Sequence, residues 1–282
     1  MKHLAILLAT YNGEAYLDEQ LHSLLNQSYK DWALYIHDDG SSDGTVSIIK
    51  RYADTYDNII VLDYISGTGA KDNFLSMLAK VDADYYMFCD QDDVWLENKI
   101  EISLQKMKEL EVSSPSTPIV VCSDLYIVDR DLHVTSSSYW NHAGIYPQFI
   151  NNFNECAASS VATGCTMLFN REAKNSAIIP AKYAAMHDSW VALCSLKKNG
   201  ILYGIDQPLV LYRQHGTNSI GATDTGVSQF TLAYRIRHFG KMFRQNKEHY
   251  LMLRSLGYGS FLKYIKYKII YKQRIRQQVR QK

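Results

Sequence analysis

Residues 4–53 read LAILLATYNGEAYLDEQLHSLLNQSYKDWALYIHDDGSSDGTVSIIKRYA. The apolar run 4–9 is broken by TYNGE, after which Tyr16, Leu17, Leu21, Leu24 and Leu25 recur at helical spacing. WALYIH, DDGSSDGT and VSIIKRYA then repeat the order of strand, loop and helix. The order returns in IIVLDYI, SGTGA and KDNFLSMLAKV, and again in YYMFC, DQDDVW and LENKIEISLQKMKEL. Repeated alternation of this kind implies parallel strands joined by right-handed crossovers, with helices on both faces. The expected fold class is α/β with a Rossmann-like, mostly parallel sheet. In such a sheet ligands gather beyond the carboxyl ends of the strands, where these polar clusters fall.

The second half is less regular. IVVCSDLYIV and SVATGCTMLF are strand-like, with a segment rich in Asn, Ser and aromatic residues between them. HDSWVALCSLKKNG reads as a helix ending at Gly200, and ILYGI and LVLYRQH as two last strands. From Phe230 onward basic residues interleave with Tyr, Phe, Ile and Leu. The expected organisation is a catalytic domain over 1–225, with halves 1–112 and 113–225, followed by a basic amphipathic helical tail over 226–282.

The net charge of +1 conceals a division. Residues 234–282 carry 14 Lys and Arg against one acidic residue, Glu248, so the tail stands at +13 and the preceding residues at −12. The five cysteines are odd in number and form no C-x-x-C pair, which favours a reducing, cytoplasmic compartment and argues against a structural zinc. MKHLAILLAT resembles the opening of a signal peptide, but its short apolar run leading into YNGE reads better as a buried strand. No stretch approaches the roughly 18–20 apolar residues needed to span a bilayer.

Two acidic clusters carry the chemistry. DDGSSDGT (38–45) reads as a turn in which Asp43 can cap the next helix. It mimics a calcium loop through Asp39, Ser41, Asp43 and Gly44, but Lys50 stands where the bidentate Glu belongs, and that reading fails. CDQDDVW (89–95) crowds Asp90, Asp92 and Asp93 behind an apolar strand. These carboxylates form either a solvated turn with Asp93 capping the next helix, or the seat of a hard divalent cation that completes its shell with water and substrate phosphate. Neither G-x-x-x-x-G-K-[ST] nor G-x-G-x-x-G after a strand occurs, so any phosphate must be neutralised mainly by metal.

ILLATYNGEAYLDEQLHSLLNQSYKDWALYIHDDGSSDGT, followed in order by FCDQDDVW, HDSW and YRQHGTNSIG, resembles bacterial glycosyltransferase family 2 over about Leu4 to Gly221. The likeness is strongest to transferases that build surface polysaccharides, among them rhamnosyltransferases and hexosyltransferases. It implies a GT-A fold and inverting transfer from a nucleotide-diphosphate sugar, of dTDP-rhamnose or UDP-hexose type, aided by Mn2+ or Mg2+. It assigns Thr10, Tyr11, Glu14, Asp39, Asp90 and Arg213 to the donor, and Asp92 and His215 to the metal. Asp188 takes the place of the general base, although the residue alone would also suit a helix N-cap. Asp124, Thr163, Gly164 and His187 fall on the acceptor side, where His187 departs from the Glu-Asp pair of many members. The basic, aromatic tail is read as a helix lying on the anionic inner face of the cell membrane, which a lipid-linked oligosaccharide acceptor would explain. Phe261, Ile265 and Ile269 supply the tail's apolar face, widened by Tyr264, Tyr267, Tyr271 and Ile275. A solvated helix and nucleic-acid binding are the other readings of the tail; no nucleic-acid partner is expected. A sugar-phosphate nucleotidyltransferase, or a sugar-nucleotide-binding module without catalysis, are the rival functions.

Overall fold

In a computed structural model, which describes residues 3–63, 69–150, 152–159, 161–177, 181–215 and 239–279, nine strands form one sheet. They are β1 (Leu4–Thr10), β2 (Trp32–Asp38), β3 (Ile59–Val61), β4 (Tyr85–Cys89), β5 (Val94–Trp95), β6 (Ile119–Val128), β7 (Val134–Ser136), β8 (Met167–Asn170) and β9 (Ile201–Arg213). Their spatial order is β3-β2-β1-β4-β8-β6-β9-β5, with β7 paired to β6. Strands β1 to β4 are parallel as expected: β1 runs beside β2 from Leu4↔Trp32 to Thr10↔Asp38 and beside β4 on its other edge, whereas β5 pairs antiparallel with β9. Antiparallel β8 then joins β4 to β6.

Helices cover both faces, which is why the central strands read as unbroken apolar runs. Ala5, Leu7, Tyr86 and Phe88 face one core with Phe74 and Leu75 of α3 (Ala70–Lys80) and Trp190 and Val191 of α8 (His187–Lys197). Leu4, Ile6, Leu8, Met87 and Cys89 face the other, against Leu17 and Leu21 of α1 (Leu17–Leu25), Ile48 and Ile49 of α2 (Thr45–Ala53), and Ile100 and Leu104 of α4 (Lys99–Ser113). The period-two alternation of one strand thus feeds two interiors.

Three expectations need correction. The two last strands are one, β9, which runs through Pro208 because the pairing with β6 jumps from Ser123↔Ile205 to Asp124↔Pro208, looping out Asp206 and Gln207. SVATGCTMLF is strand only from Met167; Gly164–Thr166 is a 3₁₀ turn. Asp93 caps no helix, since it precedes β5 and α4 begins only at Lys99 with Asn98 before it.

Smaller helices complete the second half: α5 (Tyr139–Ala143), α6 (Phe153–Ser159) and α7 (Arg171–Ser176). The tail forms α9 (Phe239–Ser255) and α10 (Phe261–Val279); residues 226–238, 280–282 and the 216–221 end of YRQHGTNSIG lie outside the described residues. Met252, Leu253, Leu256, Tyr258 and Tyr271 belong to the same core cluster as Phe74 and Trp190. Arg274 grips the second half, donating to the Phe149 carbonyl at 2.6 Å and to both oxygens of Glu155 at 2.7 and 2.9 Å. The Tyr271 hydroxyl accepts from the Tyr146 amide at 2.7 Å. Helix α10 therefore has two apolar sides: Tyr264, Tyr271 and Ile275 pack inward, while Phe261, Leu262, Ile265 and Ile269 are 65%, 80%, 38% and 51% exposed.

Candidate active site

The loops after β1 and β2 are laced together at the carboxyl edge of the sheet. Buried Thr10 donates its hydroxyl to Asp38 Oδ1 at 2.8 Å, and Asp38 holds the next turn by accepting from the Gly40 and Ser41 amides. Asn12, at φ 48°, donates its amide to Ser41 Oγ and accepts from the Ser42 amide, both at 2.8 Å. Glu14 Oε2 accepts from the Gly44 amide at 2.8 Å, at the entrance of α2. Asp39 Oδ2 accepts from the Gly69 amide at 2.6 Å, and the Tyr11 ring stands 58% exposed beside them.

Gln91, which the sequence reading passed over, ties this pair of loops to the acidic one. Its Oε1 accepts from the Tyr11 amide at 2.8 Å and its Nε2 donates to the Tyr11 carbonyl at 3.0 Å. The approach explains Gly13: a Cβ there would come within 2.4 Å of Gln91 Oε1.

Residues far apart in sequence meet at Asp92. Its Oδ2 lies 2.8 Å from His215 Nε2, and the His215 ring packs on Tyr16 at 4.6 Å between centroids. Two ligands at right angles on a cation with bonds of about 2.0–2.1 Å stand about 3 Å apart, so Asp92 and His215 have the donor atoms and the separation to hold Mg2+ or Mn2+. Arg213 secures this corner from within. It is 2% exposed, its Nε donates to the Asp92 carbonyl at 2.9 Å, its Nη1 to the Arg130 carbonyl at 2.6 Å, its Nη2 to Glu19, and its amide to Asp93 Oδ1 at 3.2 Å. The expectation that its guanidinium meets a diphosphate differs from this arrangement, in which the guanidinium is taken up by the Asp92 and Arg130 carbonyls and by Glu19.

Asp90 lies electrically between two groups of acids. Burial pushes its carboxyl up to about 7, helped by the charges of Asp92 and of Asp188. Asp188 sits in the first turn of α8 without capping it; its Oδ2 accepts from the Gly164 amide at 3.1 Å and its Oδ1 from the Ser189 amide at 2.5 Å. Thr163 starts the 3₁₀ turn, its carbonyl accepting from the Thr166 amide at 3.0 Å. His187 is buried between Phe74 and Phe88, at 4.2 and 4.6 Å between centroids. Among the described residues neither of its ring nitrogens has a hydrogen-bond partner, and burial holds its pKa below the usual value. A Cβ on Gly164 would stand 2.8 Å from His187 Nε2.

Asp124 is 3% exposed, and its carboxylate accepts from the Leu125 and Trp140 amides, at 2.8 and 3.1 Å, and from the Ser138 hydroxyl. It fastens β6 to the start of α5. Thr163, Gly164, His187 and Asp188 thus come together, while Asp124 is engaged with the α5 loop.

A second grouping lies deeper: ligand atoms of Asp90, Asp93 and Cys165 fall within 4.8 Å of one another. Burial keeps the Cys165 thiol protonated, a poor partner for a hard cation. The Asp92 and His215 pair is the better metal seat.

Residues 5–176, more than half of the chain, match the family described as glycosyl transferase family 2. The chain belongs to glycosyltransferase family 2. It is 29% identical over 230 residues to a dTDP-rhamnosyl transferase, RfbG, of Shigella flexneri, covering 76% of this chain and 74% of that one. Among solved structures it is similar to residues 1–349 of S. aureus TarS in complex with UDP, at a TM-score of 0.56 and 16% identity, over 100% of this chain and 92% of the other. A mannosyltransferase from Pyrobaculum calidifontis, solved with GDP-Man and Mn2+, is similar at a TM-score of 0.51 and 16% identity, over 96% and 84%. These likenesses establish the GT-A fold. Among the described residues no helix is long and apolar enough to cross a membrane.

Proposed function

We propose that this glycosyltransferase moves a sugar, with inversion, from a nucleotide-diphosphate donor of dTDP-rhamnose or UDP-hexose type to a hydroxyl of a lipid-linked bacterial surface polysaccharide such as O-antigen or capsule. The observation that carries the reading is the meeting of Asp92 Oδ2 and His215 Nε2 at 2.8 Å beside an Asp90 carboxyl that feels the charges of both Asp92 and Asp188, so that a metal-and-donor corner and the α8 carboxylate are neighbours. The similarity to a dTDP-rhamnosyl transferase favours the donor class.

Thr10, Tyr11, Glu14 and Asp39 line the nucleotide end, with Asp39 facing the base, and Asp90 faces the sugar. Arg213 and Gln91 keep the acidic loop in register with them. When bound, Mn2+ or Mg2+ on Asp92 and His215 supplies positive charge toward the departing diphosphate. The acceptor hydroxyl approaches the anomeric carbon from the face opposite the diphosphate. As its oxygen bonds to that carbon, the carbon–phosphate-oxygen bond breaks with its electron pair going to the diphosphate. Asp188 takes the hydroxyl proton, a contribution typically worth about 10²- to 10⁴-fold. Thr163, Gly164 and His187 shape the acceptor side behind it, and Asp124 fixes the loop at its edge.

The exposed side of α10, where Phe261, Leu262, Ile265 and Ile269 are ringed by Lys263, Lys266, Lys268 and Lys272, suits the anionic inner face of the cell membrane. The protein is then cytoplasmic and peripheral, and the lipid-linked acceptor reaches it along the surface. Incubation of the purified protein with Mn2+ and a panel of nucleotide sugars tests the reaction: one donor should stabilise it against heat and release its nucleoside diphosphate when an undecaprenyl-linked acceptor is added. A full panel without metal-dependent stabilisation or turnover would overturn the reading. Flotation with anionic against neutral vesicles tests the surface, and equal recovery from both would remove it.

A further inference from the structure

His187 lies in the first turn of α8, 4% exposed, with both ring nitrogens unpartnered among the described residues. A buried polar group without a partner is costly, so its presence calls for a physical reason. The ring is wedged. It lies 4.2 Å from the Phe74 ring and 4.6 Å from the Phe88 ring between centroids, tilted by 32° to the first and by 82° to the second. Phe74 and Phe88 are themselves buried and stand 5.2 Å apart, so neither can give way to the imidazole.

The remaining edge of the ring faces Gly164. A Cβ on Gly164 would stand 2.8 Å from His187 Nε2, 3.6 Å from its Cε1 and 3.7 Å from Asp188 Cβ. Gly164 is not among the glycines with positive φ, so it is required here for space and not for backbone freedom. The same residue donates its amide to Asp188 Oδ2 at 3.1 Å. Among the described residues this is the hydrogen bond that ties the Asp188 carboxylate to anything outside α8, since Oδ1 accepts from Ser189 and the helix start has no side-chain cap. Where the carboxylate points therefore depends on where the Gly164 peptide lies, and that peptide lies against the imidazole.

We propose that His187 is a positioning residue for transfer: its ring, wedged between Phe74 and Phe88, is the fixed seat of the Gly164 turn, and the seated turn aims its N–H at Asp188. The seating stands by itself; its effect on rate rests on the reading of Asp188 as the base.

The test is an exchange of size in the full chain: Gly164→Ala, His187→Val and the double variant, each followed by thermal unfolding and by kcat and donor KM with Mn2+. Gly164→Ala should lower kcat about 100-fold while donor KM stays within about threefold of wild type. His187→Val, which removes the seat, should lower kcat about tenfold with the same spared KM. In the double variant the added Cβ enters the space the imidazole has left, so kcat should rise at least about tenfold above that of Gly164→Ala, and Tm should rise above it too. A purely structural role would lower Tm without this recovery of kcat. A double variant no more active than Gly164→Ala, or a folded His187→Val with wild-type kcat, would overturn the proposal. If either single variant fails to fold, a folded double supports the proposal and an unfolded double overturns it. Should Asp188→Asn keep wild-type kcat, the reading of the base falls, and the Tm values of the same three proteins still decide whether Gly164 is seated on His187.

Discussion

Replacing Asp188 with Asn takes away a proton acceptor while leaving the shape of the side chain. In the structure the two carboxylate oxygens accept from the Gly164 amide at 3.1 Å and the Ser189 amide at 2.5 Å. Asn keeps one accepting oxygen and turns an N–H toward the other amide, so one hydrogen bond is lost and a donor faces a donor. That costs about 1–3 kcal/mol of stability, read as a fall in Tm of roughly 2–4 °C for each kcal/mol. Loss of the proposed general base costs about 10²- to 10⁴-fold in rate, or about 3–5 kcal/mol on the barrier. The two effects separate in the laboratory: differential scanning fluorimetry reads the first, and kcat with saturating donor and acceptor reads the second. The expected outcome is a folded protein with donor affinity within a few-fold of wild type and kcat reduced at least about 100-fold. A folded Asp188→Asn that keeps more than a tenth of the wild-type kcat would refute the reasoning.

Three further outcomes follow from the packing around that carboxylate and from the tail. Gly164→Ala puts a Cβ 2.8 Å from a His187 ring that Phe74 and Phe88 hold in place, so it should cost about 1–3 kcal/mol of stability and lower kcat by about 10²-fold through displacement of Asp188; wild-type kcat would contradict it. Because burial holds His187 below its ordinary pKa of 6.5, the unfolded chain gains a proton first as pH falls, and the stability due to neutral His187, full above about pH 6.5, declines below it by at most about 1.4 kcal/mol per unit. His187→Phe should abolish that share, so urea unfolding at pH 7.5 and 5.5 should show wild type losing ground to the variant in acid, and a gap independent of pH would count against the buried neutral imidazole. Arg274→Ala leaves the Glu155 side chain, 4% exposed, without its guanidinium, and should cost about 3–5 kcal/mol, with limited proteolysis cutting earliest in α10; an unchanged digestion pattern would show that the clamp is unimportant.

The first half of the fold was legible because each strand there is short, apolar and stopped by Gly, Asn or Asp, and because burial on both faces leaves no polar alternation to confuse the pattern. The second half obscured itself through local chemistry. Pro208 reads as the end of a strand, yet β9 passes it where Asp206 and Gln207 bulge out and the ladder needs no amide. Gly164 and Cys165 sit in an apolar run but turn instead of extending, because the Thr163 carbonyl takes the Thr166 amide. At the site, the family resemblance pointed to Asp92 and His215, and the fold brings them to 2.8 Å across 123 positions, a distance no spacing contains. Gln91 was missed for the opposite reason: a Gln among aspartates is an ordinary surface residue by pattern, and only its hydrogen bonds mark it out.

The clamp made by Arg274 and Tyr271 also has a consequence for the order of events during synthesis. These residues reach back 119 and 125 positions to Glu155 and Tyr146. At about 5–20 residues per second, a ribosome needs roughly 6–25 s to travel that far. During that interval the parallel first half can close on itself, for its strands pair within their own stretch of chain, while the 146–155 segment waits uncovered. Nascent protein thus passes through a stage in which the parallel first half is built and the 146–155 segment is still open. A chaperone or a membrane surface would meet the protein in that interval.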